Sequence, residues 1–254
     1  MLTAIKGWSA ITFPEILVED SLPLLRDFQV KRMFEDIAFS YDFQTSFLSL
    51  GRDIQWRKIL AGSFPVQPGN WVLDMATGTA EIAIEICRQT PSARVIGVDF
   101  SPRMLALGAK KLKKRGLENC ICFSIGDART LPFEKDCFDA VTMGFGIRNI
   151  QERKQVLAEF SRVLRPGGHL LIMEFDYPDN RLMRMLYRFY FHRIFPPVGN
   201  WLSKTDYAYS YLVDSVRAFP RPREFLKEME DGGFKHLEVK NLTWGIARIY
   251  SGKK

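Results

Sequence analysis

Four cysteines and three histidines in 254 residues leave little from which to build a disulfide framework or a metal centre. Cys87, Cys120, Cys122 and Cys137 suit a reducing compartment, and buried structural thiols are the expected state of all four. Cys120 and Cys122 stand two apart in a strand-like run, a spacing that puts both on one side of the strand. No histidine falls near them at a zinc-like spacing, so no metal is expected. Long apolar runs are missing too, since none reaches the roughly 18 residues that cross a bilayer. Residues 1 to 30 mix Trp8, Phe13 and Leu17 with Pro14, Glu15, Glu19, Asp20 and Pro23 and show no charged start before an unbroken apolar stretch. A cleaved secretory leader is therefore not expected. Internal repeats and low-complexity stretches are absent. A cytoplasmic protein with one compact domain and appendages follows, because 46% hydrophobic content over this length buries an ordinary core.

What is present begins with charge. A net charge of +7 suggests an anionic partner without choosing among nucleic acid, a lipid surface and an acidic metabolite. The densest basic run, Lys110, Lys111, Lys113, Lys114 and Arg115, closes a helix-like segment. Cations there meet the negative end of the dipole and solvent, so a solvated helix end is expected and no nucleic-acid contact.

From residue 71 to 175 strand-like and helix-like segments alternate. WVLDMA, RVIGVDF, CICFSI, CFDAVTMGF and GHLLIMEF are short and nearly all apolar, as parallel strands buried on both faces must be. Helical periodicity marks residues 80 to 90, 102 to 115 and 151 to 164, the second opened by Ser101 as N-cap and Pro102 in the first turn. Right-handed crossovers then give a doubly wound α/β sheet with its ligand crevice at the strand carboxyl ends. HLEVKNLTWGIARIYSG breaks the rhythm with two strand-like runs a few residues apart, which predicts an antiparallel hairpin at the sheet edge. The small-residue turn after WVLDM, cleared by Gly78, and the carboxylate of Asp99 at the next strand end together form a nucleoside-binding crevice.

These motifs fall in the order and spacing of class I S-adenosylmethionine methyltransferases. More narrowly, the chain resembles the ubiquinone and menaquinone biosynthesis C-methyltransferase family. The matching stretches are KRMFEDIAFSYDFQTSFLSLGRDIQWR, VLDMATGTAEIA, VIGVDFSPRML, GDARTLPFEKDCFDAVTMGFGIRNI, RVLRPGGHLLIMEF, YAYSYLVDSVRAFP and GFKHLEVKNLTWGIARIYSG, about residues 30 to 252. FGIRN, joined to the early tyrosine-aspartate pair and the late YSYL run, discriminates far better than the glycine turn. The resemblance implies a Rossmann-like seven-stranded sheet, mostly parallel with an antiparallel C-terminal hairpin. It also implies an extension over 1–29, a methyltransferase domain over 30–254, and substrate-side lid segments near 30–57 and 178–220.

S-adenosylmethionine is the cofactor so implied. Gly78 lets it approach the turn, and Asp99 accepts from two ribose hydroxyls. Asp127 resembles the position that accepts from the adenine amino group, with Ala128 adding its backbone amide. Thr77, Phe100 and Met104 complete the implied cofactor set. Asp74 either anchors the turn or reaches the methionine portion through water. Two departures stand out: Ala80 replaces a second glycine and restricts positive φ, while Thr45 and Val213 replace an asparagine and a proline on the substrate side.

The implied reaction moves a methyl group to a ring carbon of a lipophilic quinol, of demethylmenaquinol type. Deprotonating a quinol hydroxyl activates the neighbouring carbon, and a charge stabiliser must stand at that oxygen. Arg148 is the candidate, too basic to act as a free base, with Asn149 to fix the guanidinium or the other quinol oxygen. Tyr41 and Asp42, with Tyr209, Tyr211 and Ser215, resemble positions that close over the substrate. RLMRMLYRFYFHRIF, residues 181 to 195, sets Arg181, Arg184, Arg188 and Arg193 among large apolar groups. It reads either as a lid helix or as an element resting on the inner face of an anionic membrane. Membrane contact, a homodimer, another small-molecule acceptor and a catalytically silent assembly role all stay open at this level.

Overall fold

The computed structural model of the chain describes residues 25–178, 180, 181, 184, 185 and 207–254. Three helices, α1 (Leu25–Ile37), α2 (Tyr41–Leu48) and α3 (Arg52–Ala61), precede the first strand. Then β1 (Trp71–Met75), α4 (Glu81–Gln89), β2 (Arg94–Asp99), α5 (Pro102–Arg115) and β3 (Ile121–Ile125) follow in strict alternation. The chain continues through β4 (Phe138–Gly144), α6 (Arg153–Val163) and β5 (Leu164–Phe175), and after α7 (Tyr207–Ala218) and α8 (Pro222–Asp231) it ends in β6 (Lys235–Leu242) and β7 (Ala247–Lys253).

The strands form one seven-stranded sheet in the order β3-β2-β1-β4-β5-β7-β6. β1 to β5 pair in parallel, whereas β7 runs antiparallel to both β5 and β6. The expected C-terminal hairpin is therefore present, with β7 inserted between β5 and the edge strand β6. Strand order reverses between β1 and β4, and a doubly wound sheet opens its crevice at the carboxyl ends on either side of that point.

Burial explains the apolar strands. Val72 of β1 packs with Trp56 and Leu60 of α3 and with Ile84 and Ile86 of α4. Its neighbour Leu73 packs on the opposite face with Val156, Leu157 and Phe160 of α6 and Phe225 of α8. Helices cover both faces, so β1 is buried at all five positions. α5 begins as the sequence predicts: the Ser101 hydroxyl accepts from the Met104 amide at 3.3 Å, and Pro102 opens the helix. It ends at Gly116 with φ 67°, a left-handed cap.

Two expectations about cysteine are overturned. Cys87 on α4 and Cys120 ahead of β3 are joined in a disulfide, their Cα atoms 6.3 Å apart. Cys120 and Cys122 do not share a side either, because β3 starts only at Ile121. Cys120 therefore joins the cluster around Cys87, while Cys122 packs against the opposite one. Burial pushes the free Cys122 thiol up to about 12. The cross-link spans 33 residues, and loop-closure entropy for such a length gives about 4 kcal/mol as an upper figure. Cys120→Ser is expected to lower unfolding stability by about 2–4 kcal/mol and to make the denaturation midpoint insensitive to reductant. A midpoint that responds equally to reductant in both proteins would contradict the cross-link.

Candidate active site

The turn from β1 to α4 is built from strained backbone. Ala76, Gly78 and Ala80 have φ of 53°, 54° and 69°. Glycine takes this region freely, whereas each alanine is disfavoured there by about 1–2 kcal/mol. Ala80 thus adopts the positive φ that its methyl group was expected to restrict. Neighbouring structure holds the bend: the Thr77 amide donates to the Val98 carbonyl at 3.0 Å, and the Ala80 amide to the Thr77 carbonyl at 2.8 Å. A Cβ added at Gly78 would meet only the Tyr41 ring, at 4.0 Å, so the backbone is otherwise open there.

Asp99 closes β2 beside this turn. Its Oδ2 accepts from the Gly78 amide at 2.8 Å and its Oδ1 from the Ser101 amide at 2.9 Å. Each oxygen keeps a further lone pair. Burial raises the carboxyl to about 6 against the pull of these amides. Asp74 also sits near 6, chiefly through burial. It has no exposed surface and accepts from the hydroxyls of Thr77 at 2.6 Å and Thr142 at 2.7 Å. These two bonds brace the turn and join β1 to β4. Phe100 lies edge-on to Phe34 of α1, centroids 6.1 Å apart, and Met104 is buried beneath.

Asp127 lies after β3, with Ala128 buried behind it. Its carboxylate is gripped by Arg129, whose Nη2 lies 2.6 Å from Oδ2 and whose backbone amide lies 2.8 Å from Oδ1. Burial works to raise this carboxyl, but the hydrogen bonds and charge of Arg129 outweigh it and hold it below the usual range.

FGIRN forms the facing wall. A Cβ at Gly146 would come within 2.9 Å of the Ala76 Cβ and 2.6 Å of the Met143 side chain, so glycine here lets two turns pack directly together. A short 3₁₀ turn, Ile147–Asn149, follows. The Arg148 side chain is 6% exposed, and its Nη1 donates to Glu174 Oε1 and to the Phe145 carbonyl, both at 2.6 Å. Its Nε is buried without a partner. Phe175 lies 5.7 Å from its guanidinium carbon and stacks on Phe145 with centroids 4.3 Å apart. Glu174 is fully buried, and burial raises its carboxyl despite the charge of Arg148. Asn149 does not hold the guanidinium: its Nδ2 lies 3.4 Å from the Phe145 carbonyl, and its Oδ1 accepts from the Tyr211 hydroxyl at 3.1 Å.

α2 reaches over the turn. Tyr41 lies beside Gly78 and edge-on to Phe34 at 6.0 Å. Burial pushes its phenol up, against the fields of Arg148 and Arg57. Asp42 points its carboxylate elsewhere, to the Thr79 hydroxyl at 2.6 Å and the Lys111 ammonium at 2.5 Å. Lys111 also bonds Glu81 at 2.6 Å, so one member of the basic run is drawn inward while Lys110, Lys113, Lys114 and Arg115 stay exposed. Lys111→Met is expected to raise amide exchange over residues 41 to 48 roughly threefold to tenfold, the equivalent of about 1 kcal/mol for a partly exposed network. Unchanged exchange would show that the network does not hold α2. Ser215 is buried with its hydroxyl bonded to the Leu212 carbonyl at 2.9 Å. Tyr209 falls on α7, but its side chain lies outside the described residues, as does most of the 181–195 stretch.

Sequence reasoning missed Glu174, and the signal was a lone carboxylate near the carboxyl end of an otherwise apolar strand. It also missed Thr79 and Lys111, whose meeting depends on how α2 and α5 approach. Among the described residues no group of His, Cys, Asp and Glu is placed to hold a metal ion, and no helix is long and apolar enough to cross a membrane.

Known proteins resemble this chain in sequence and in fold. A protein of Geobacter sulfurreducens named ubiquinone/menaquinone biosynthesis C-methyltransferase UbiE is 44% identical over 227 residues, 89% of this chain and 88% of its own length. A Thermus thermophilus demethylmenaquinone methyltransferase is 40% identical over 222 residues, 87% of this chain and 100% of its own. In structure, a phosphoethanolamine N-methyltransferase of Haemonchus contortus, solved with S-adenosyl-L-methionine, superposes with a TM-score of 0.66 at 16% identity, covering 92% of this chain and 60% of that one. At that identity the likeness speaks for the fold alone. The model of the ubiE/COQ5 methyltransferase family matches residues 23–254, and the chain belongs to that family.

Proposed function

We propose that this chain transfers a methyl group from S-adenosylmethionine to a ring carbon of a prenylated quinol, with a demethylmenaquinol-type naphthoquinol as acceptor. One observation carries the acceptor chemistry: Arg148, two residues after the glycine that packs on Ala76 of the β1–α4 turn, has a buried Nε without a partner. The names of the Geobacter and Thermus relatives support the same acceptor class.

The residues present fit the cofactor. Gly78 leaves the backbone open, Asp99 keeps a lone pair on each oxygen for the ribose hydroxyls, and Asp127 with Ala128 is the pair we assign to the adenine edge. When bound, S-adenosylmethionine supplies a methyl group on an already activated sulfur leaving group. The protein's part is to align the acceptor and exclude water. Arg148 stabilises negative charge on the acceptor oxygen ortho to the reacting carbon; the hydroxyl proton of that oxygen leaves to solvent before the transfer, and the proton on the methylated ring carbon leaves to solvent after it, restoring the aromatic ring. Tyr41, its phenol kept protonated by burial, donates a hydrogen bond to the ring oxygens. Asn149 fixes the Tyr211 hydroxyl by accepting its hydrogen bond. The segments near 30–57 and 178–220 act as lids. A prenylated acceptor partitions into the bilayer, so collecting it calls for surface contact. The +7 net charge and the exposed Phe39, Phe43, Leu50 and Ile54 support such contact.

Cofactor affinity follows the protonation of Asp99. Below about pH 6 the carboxyl gains a proton and ceases to be a pure acceptor. The dissociation constant is expected to rise about tenfold per pH unit below 6 and to stay flat above 7. Calorimetry at pH 5 and 7.5 with equal affinities would contradict the ribose role.

The function itself is tested with a labelled methyl donor and two acceptors, short-chain demethylmenaquinol and a prenylated benzoquinol. Labelling of the naphthoquinol above the benzoquinol is expected. Neither quinol labelled by folded, cofactor-binding protein would overturn the reading.

A further inference from the structure

We propose that Glu174 is a positioning residue for the methyl transfer: by holding Nη1 of Arg148, it turns the opposite edge of the guanidinium, Nε with Nη2, toward the acceptor oxygen. The inference rests on the function proposed above and adds the residue that decides which edge of the arginine acts.

A guanidinium is planar and presents its donors in fixed forks. Both acceptors that reach Arg148, Glu174 Oε1 and the Phe145 carbonyl, take Nη1. The fork made by Nε and Nη2 is left without an acceptor, although Nε is buried. A buried donor without a partner costs about 1–3 kcal/mol. Keeping one at this position points to an oxygen that arrives with a ligand, and a phenolate fits a two-donor fork.

Glu174 controls more than the charge. Its Oε2 lies 3.2 Å from the Arg148 backbone amide, while Oε1 accepts from Nη1 and, at 2.9 Å, from the Phe175 amide. One carboxylate thus fixes both where the 3₁₀ turn sits and how the side chain is rotated. The Phe175 ring, 5.7 Å from the guanidinium carbon, supports its plane. The charged group acting on Glu174 is Arg148, and Tyr41 in turn feels the charges of Arg148, Arg57 and Asp99. Removing the negative charge at Glu174 leaves the arginine's field on the bound oxygen less compensated, so a bound phenol should ionise at lower pH.

The test uses full-length protein saturated with S-adenosylhomocysteine, with 1-naphthol as a probe whose absorbance changes on ionisation. Wild type is expected to lower the midpoint of naphthol ionisation relative to free solution. Glu174→Gln, which keeps an acceptor for Nη1 and so keeps the arginine oriented, is expected to lower it by about one further pH unit while turnover and KM each change less than threefold. Glu174→Ala is expected to lose the wild-type lowering, with turnover down at least tenfold and KM changed less than threefold, because Arg148 is no longer oriented. S-adenosylhomocysteine binding by calorimetry reports folding, and if the alanine variant does not fold, Glu174→Gln alone decides. A midpoint unmoved by Glu174→Gln in cofactor-binding protein would overturn the positioning role and leave a structural ion pair. Absence of any lowering in wild type would instead overturn the quinol reading on which the inference rests.

Discussion

Asp99→Ala is expected to weaken S-adenosylmethionine binding by about a hundredfold to a thousandfold, with a smaller fall in thermal stability. The reason lies in what the carboxylate does twice. In the protein it receives the Gly78 and Ser101 amides, fixing the bend at the end of β1 and the start of α5. In the role proposed for it toward the cofactor, it offers its remaining lone pairs to two hydroxyls. Hydrogen bonds to a charged group are worth about 1.5–3 kcal/mol each, and two of them account for the upper part of that range. Asp99→Asn, which keeps one acceptor oxygen, is expected to fall between wild type and alanine. Calorimetry on both variants, with melting curves to show folded protein, is the check. A loss under threefold in Asp99→Ala would remove the ribose contact from the account.

Arg148→Ala is expected to separate binding from chemistry. Cofactor affinity should change less than threefold, because none of the Arg148 hydrogen bonds reaches Asp99, Gly78 or Asp127. Turnover should fall by about a hundredfold to a thousandfold, the usual effect of deleting one donor to a developing oxyanion. Stability should fall as well, since the fully buried Glu174 loses its counter-charge, and breaking a buried pair costs about 3–5 kcal/mol. That penalty has a sign in pH. Burial already raises the Glu174 carboxyl, and without Arg148 it rises further. The folded variant then binds a proton that the unfolded chain gives up, so the penalty is complete above the raised folded pKa and fades as pH falls toward the ordinary carboxylate value. Melting curves at pH 5 and pH 8 should show a smaller difference from wild type at the lower pH. Unchanged turnover would contradict the assignment, and so would loss of cofactor binding in folded protein.

Much of the architecture was legible because parallel strands buried on both faces must be apolar along their length. WVLDM, RVIGVD and HLLIMEF therefore announced themselves, as did the Ser101-Pro102 start of α5 and the terminal hairpin. Asp99 was legible for the same reason: a carboxylate ending a buried strand is out of place unless it meets something there. Glu174 obeys the same logic one strand later and was overlooked, because FGIRN drew attention to the arginine and away from its counter-charge. Other contacts could not be read from spacing. Asp42 meets Thr79 and Lys111 across 37 and 69 positions of sequence, and the Cys87–Cys120 cross-link depends on where α4 ends relative to β3. Local periodicity specifies faces of an element, but not the angle at which two elements approach. Arg148 lies between these cases. Its type and its place after β4 pointed to an oxyanion, while the pairing that leaves only one edge free is a property of the folded turn.

The most direct measurement is the position of the transferred methyl group. Protein incubated with ¹³C-methyl S-adenosylmethionine and a short-chain demethylmenaquinol should give a product whose label resonates as a methyl on an aromatic carbon adjacent to a hydroxyl-bearing carbon. A label resonating as a methoxy group would contradict the account, and so would an unlabelled quinol recovered from protein saturated with the cofactor.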